Sequence, residues 1–120
     1  MNLIALFFVL LFALPAAAFA GTATLTWTAN TEADLAGYKV YRGTSACAAP
    51  STVLTPLATV GKVVTYTDST IPAFDGELCY EITAIDVAGN ESAHSTRASK
   101  AVNLVPPSAP STPTIGTVTP

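Results

Sequence analysis

Charge is scarce in this chain: of its 120 residues only 11% are Asp, Glu, Lys or Arg, and the five basic ones form no cluster. Recognition of phosphate needs grouped Lys and Arg, so a nucleic-acid partner is excluded. Histidine is rarer still, with His94 alone. A serine nucleophile requires a base within hydrogen-bond reach, a carboxylate to orient that base and an oxyanion hole, and no GxSxG turn is present to build one. His94, flanked by Ser92 and Ser95, therefore reads as a solvated loop histidine, and the chain as a non-enzyme. Cysteine is limited to Cys47 and Cys79, which lack the CxxC spacing and the partnering histidine of a zinc site. No RGD triplet occurs, so integrin-type adhesion has no support, and no group of residues calls for a cofactor.

Apolar residues make up 50% of the chain, and many of them sit at its start. Leu3 to Phe19 is apolar apart from the break at Pro15, and Ala18-Phe19-Ala20 has the small-x-small pattern of a signal-peptidase site. Residues 1–20 therefore read as an export signal cleaved after Ala20, which places the protein outside the cytoplasm, extracellular or periplasmic. An uncleaved membrane anchor is the rival reading, because the n-region has no Lys or Arg and the run is long enough to span a bilayer. Pro15 and the three alanines after it favour cleavage. No lipobox cysteine precedes Gly21.

All charged residues lie after Ala20, so the net charge of −3 belongs to the mature part. That part is one domain, large enough for a single core and small enough that a crosslink helps. An exported chain with two cysteines most simply joins them, and a Cys47–Cys79 bridge would stabilise by about 3–4 kcal/mol through the unfolded chain.

Alternation of apolar and polar residues then marks strands one after another. Thr22–Thr28 sets Leu25 and Trp27 on a buried face, and Gly37–Gly43 sets Tyr38 and Val40 on one face with Lys39 and Tyr41 on the other. Leu57–Val60 is a short strand, and in Val64–Asp68 the side chains of Val64 and Tyr66 share a face. Ile71-Pro72 ends that strand, and a loop follows through Asp75-Gly76. Leu78, Tyr80, Ile82 and Ala84 form the buried face of the next strand, leaving Cys79 outside the core with Glu81 and Thr83. Asp86–Asn90 makes a hairpin with Gly89 at positive φ. A weaker strand runs from Thr96 towards Val102 and Leu104, and Pro106–Pro113 has the composition of a stiff linker. Six or seven short strands with turns every eight to twelve residues, and no helical period after Ala20, predict an all-β sandwich.

Four segments carry a family resemblance: Leu25-x-Trp27, GYKVYRG at 37–43, YTDST at 66–70 and CYEITAIDVAGNES at 79–92. In that order they resemble the B, C, E and F–G segments of a fibronectin type III domain of the kind found in bacterial secreted proteins. The match covers residues 22–105. The resemblance implies an immunoglobulin-like sandwich that acts as a structural or protein-interaction module, with neighbouring domains or a protein as partner. Two departures stand out. Leu78 occupies the position of the family's corner tyrosine, and strand A, which should precede the strand-B tryptophan, is short or missing. Strand B would then keep an unpaired edge, open to a strand from a partner or from 114–119 of another copy.

Two further constellations bear on function. In a type III sandwich the B–C and F–G loops share a pole, which would gather Glu32, Asp34, Asp86, Asn90 and Glu91 as oxygen ligands for calcium. No DxDxDG loop is present, and Asp86 and Asn90 are explained by bonds within their own turn. Sugar binding, the second candidate, would make the chain an accessory module of a secreted polysaccharide-degrading enzyme and requires exposed rings. With Trp27, Tyr38, Tyr66 and Tyr80 on core faces, only Tyr41 and Phe74 remain for it. Asn90-Glu91-Ser92 fits a glycosylation acceptor, a triplet common by chance.

Overall fold

The computed structural model describes residues 19–44, 47–48 and 54–120. The expected export signal lies outside the described residues except for Phe19 and Ala20. Six strands follow in chain order: β1 (Phe19–Thr26), β2 (Leu35–Gly43), β3 (Thr55–Val60), β4 (Thr65–Pro72), β5 (Asp75–Asp86) and β6 (Ala98–Asn103). No helix occurs among the described residues. The strands form two antiparallel sheets, β1-β4 and β3-β2-β5-β6, in keeping with the sandwich expected from the alternating pattern.

The core lies between the sheets. Val40, Ile71, Leu78 and Tyr80 are buried, with Ala23, Leu25, Trp27 and Tyr66 among the side chains packed on them. Tyr38 is buried as well and meets Trp27 edge to face at a centroid distance of 5.3 Å. Ile82 and Ala84, further along β5, are half-buried. Complete burial of a side chain such as Val40 or Ile71 stabilises by about 1.5–3 kcal/mol.

Several boundaries differ from the sequence reading. Strand β4 does not begin at Val64, which is exposed, and it continues past Asp68 to Pro72. The cause is a register shift: Asp68 faces Ala23 and Ile71 faces Gly21, so one extra residue on β4 is accommodated between them. Such an insertion reverses the parity of inward and outward positions. Ile71 thereby joins Asp68 on the inward face and becomes a core residue. Asp75 and Gly76, expected in a loop, belong to β5. The Asp75 carboxylate accepts the amides of Leu104 and Val105, at 2.9 and 3.0 Å, and fixes the exit of β6.

The hairpin after β5 closes as its residues dictate. Gly89 has φ of +89°, and Asp86 accepts both the backbone and the side-chain amide of Asn90 at 2.8 Å. Beyond it, Ser92 and Ser95 run beside β5, and their hydroxyls accept the amides of Ala84 and Ile82, at 2.9 Å each. Each serine stands in for a missing strand. Residues 106–120 follow β6 without regular structure and are exposed.

Candidate interaction site

Three surfaces gather the polar or apolar groups that would carry a function. The first is the outer face of the larger sheet, where alternation places Lys39, Tyr41, Cys79, Glu81 and Thr83. This face is not open to solvent. Cys79 is bonded to Cys47 across a Cα–Cα distance of 5.9 Å, and with Tyr41 and Leu54 the pair forms a second buried cluster. The bridge lies outside the inter-sheet core, as alternation requires, yet is itself buried, because the turn at Cys47 covers it. Glu77 accepts the Cys47 amide at 2.9 Å and Arg97 donates to the Cys47 carbonyl at 2.8 Å, which clamps that turn to β5.

Beside this cluster Glu91 accepts hydrogen bonds from the Tyr41 hydroxyl, from Thr83 at 2.7 Å and from Lys39 at 3.3 Å. The bond from Tyr41 leads in holding its carboxyl down to about 2, and the same contact raises the Tyr41 phenol. His94 pairs through Nδ1 with Glu81 at 2.8 Å and packs at a tilt against the Tyr41 ring, and Arg97 Nε shares the same carboxylate. Burial opposes the Glu81 charge, but the bonds from Arg97 and His94 outweigh it and lower its pKa. The hydroxyls of Ser92 and Ser95 donate to the carbonyls of Ala93 and Thr96. Histidine and serines are thus each committed to structural partners.

The second surface is the pole where the β1–β2 loop meets the β5 hairpin. Glu32, Asp34, Asp86, Asn90 and Glu91 line a shallow cleft of about 350 Å³, so the expected gathering occurs. They do not converge on one point. Both Asp86 oxygens are taken by Asn90, Glu91 is turned to Tyr41, and no metal-holding group of three such residues exists among the described residues. A missed contact holds this pole together: Tyr38, at the start of β2, accepts the Asn30 amide on its hydroxyl at 2.8 Å.

The third surface is the open side of the sandwich between β1 and β6. Each is an edge strand among the described residues. Between them a groove of about 400 Å³ is lined by Ala23, Leu25, Ile71, Leu78 and Val102. A second hollow of about 220 Å³ continues it past Leu25, Tyr80 and Ala98 to Trp27. The buried indole Nε1 of Trp27 has no hydrogen-bond partner among the described residues, and an unmet donor of this kind costs about 1–3 kcal/mol. The groove is long, apolar and flanked by free backbone edges, a geometry suited to an extended peptide.

Neither aromatic side chain expected to remain outside stands free of the protein. Tyr41 is buried, at 8% exposure, and Phe74 packs on the core. Alternation gives the face of a side chain and not what covers that face. No protein-family profile, curated protein or solved structure matches this chain.

Proposed function

We propose that this chain is an exported, non-catalytic sandwich module of the fibronectin type III kind, which works by presenting surface to a protein partner or neighbouring domain. Strand order supports the family reading. With β1, β2, β4 and β5 taken as the B, C, E and F segments of the resemblance, B pairs with E, C pairs with F, and β6 follows as G beside F. Among the described residues no strand pairs with the outer edge of β1, which lies beside an apolar groove, and that single observation carries the interaction role. A buried disulfide, and no helix long and apolar enough to cross a membrane among the described residues, are compatible with an oxidising compartment.

The accessory role in polysaccharide degradation has less support, since Tyr41 is buried and Phe74 half-buried against the core. Co-sedimentation with insoluble polysaccharides separates the two. The module reading expects the protein to stay in the supernatant, and sedimentation with the polymer would overturn it in favour of carbohydrate contact. Cell fractionation with mass spectrometry tests export: a mature chain beginning at Gly21 outside the cytoplasm is expected.

A further inference from the structure

The groove between β1 and β6 calls for a strand, and the chain carries one that it does not use. Residues 114–119, Thr-Ile-Gly-Thr-Val-Thr, are uncharged and rich in β-branched side chains, the composition of a pairing strand. Ile115 and Val118 are 84% and 81% exposed, the most exposed large apolar side chains of the molecule's described part. We propose that this segment of one copy docks as an added strand on β1 in the groove of a second copy, linking the modules head to tail. The proposal rests on the interaction-module reading and names its partner.

Local geometry favours a second copy over self-docking. Strand β6 ends beside the start of β1: Leu104 Cδ1 lies 3.4 Å from where a Cβ on Gly21 would sit. The tail therefore leaves at one end of the groove, heading away from it. The proline-rich stretch 106–113 extends about 25 Å at about 3.1 Å per residue and stays stiff over several residues, so it opposes the reversal that self-docking needs.

The receiving edge is equally specific. Trp27 N–H donates to the Val64 carbonyl, and Thr24 and Thr67 face each other with their hydroxyls 3.2 Å apart. Opposed residues of an antiparallel pair alternate between bonded and non-bonded positions, so with Trp27 bonded to Val64, the pairs Thr26–Thr65 and Thr24–Thr67 are the ones that do not bond across the strands. The backbone groups of Thr24 and Thr26 thus point to the free edge. An incoming strand would bond to them while one of Ile115 and Val118, which strand alternation puts on opposite faces, covers Leu25 and Val102 beside the Trp27 indole. A head-to-tail contact of this kind uses two different surfaces, so it joins copies into a ring or an open chain.

The test uses the full chain and the double variant Ile115→Asp/Val118→Asp, whose exposed positions leave the fold intact. Light scattering over a concentration series should show mass rising above the monomer for the wild type and a monomer for the variant. Hydrogen exchange of the Thr24 and Thr26 amides should be at least about tenfold slower in the associated wild type than in the variant. A wild type that stays monomeric, or a variant that associates equally, overturns the proposal. So does association through the tail that leaves those two amides unprotected, since the tail would then bind elsewhere. None of these failures touches the module reading, which the polysaccharide experiment decides separately.

Discussion

Tyr80 on β5 donates its hydroxyl proton to Asp68 on β4 at 2.7 Å, a hydrogen bond that crosses from one sheet to the other. Asp68 is fully buried and also accepts from Arg42 on β2 at 2.8 Å and from the amide and hydroxyl of Thr70. Burial opposes the Asp68 charge, but these bonds outweigh it, and the carboxyl is held below its ordinary value. Burial and the Asp68 contact push the Tyr80 phenol up, so it remains a donor. One carboxylate thus joins three strands of the sandwich at a point where apolar packing alone would set no register.

Removing Asp68 should therefore do more harm than removing any of its partners. Asp68→Ala strands a positive charge at Arg42, whose side chain is 19% exposed and recovers part of its hydration, for a loss of about 3 kcal/mol. Tyr80→Phe removes one charge-assisted bond and should cost about 1.5–2 kcal/mol. Because both act through the same contact, Tyr80→Phe should cost almost nothing further in the Asp68→Ala background. Urea denaturation of the four proteins in this cycle measures it, and additive losses would disprove the coupling.

Acid should weaken the fold through several carboxyls at once. Asp68, Glu81, Asp86 and Glu91 all have folded pKa values below their ordinary ones, so the unfolded chain binds more protons and stability rises with pH across their titration. Their contribution is complete above the unfolded values of about 3.9 for Asp and 4.3 for Glu and is lost as pH falls through the folded values. For Glu91 that point is about 2. Solvent screens Glu91 and Asp86, so Asp68 should dominate. The urea midpoint is expected to decline between about pH 5 and pH 2, with Asp68→Asn flattening the decline more than Glu91→Gln. Equal flattening by both variants would contradict this ranking.

The disulfide should matter beyond its own loop. Its partners are 32 residues apart, for which the chain-entropy estimate is about 3–4 kcal/mol. Cleavage would also release the Cys47 turn from Tyr41 and Leu54 and expose the outer face of β2. The Cys47→Ser/Cys79→Ser variant should lose at least that stability, and acrylamide quenching of Tyr41 fluorescence should increase. A variant that kept the wild-type urea midpoint would rule out this role.

Much of this architecture was legible in two-residue alternation. It placed Val40, Leu78 and Tyr80 inward and put Cys79 on the opposite face. The same parity placed Arg42 with Val40 and Asp68 with Tyr66, two opposite charges directed into one interior, and that was the available signal for the clamp. Ile71 was not legible, because a register shift reversed the parity between it and Asp68. The roles of Ser92 and Ser95 were hidden for a different reason. Their hydroxyls replace backbone partners along β5, and replacement of that kind leaves no periodic trace.

Glycines give the sharpest contrast between what composition suggests and what contact requires. Gly37 lies near the start of β2 and Gly61 just past the end of β3, and their surroundings differ. A Cβ on Gly37 would lie 2.2 Å from the Val60 carbonyl oxygen and 3.2 Å from the Gly61 Cα, all of it backbone that cannot rotate aside. At Gly61 nothing lies within 4 Å of that position. Gly37→Ala should therefore push β3 off β2 where Tyr38 faces Val60, at a cost of about 2–3 kcal/mol. Gly61→Ala should stay within about 0.5 kcal/mol of the wild type. Thermal unfolding of the two variants side by side checks the difference, and amide exchange along β3 should quicken only for Gly37→Ala. Equal behaviour would mean that β2 and β3 are not held in the close pairing on which the turn at Gly61 depends.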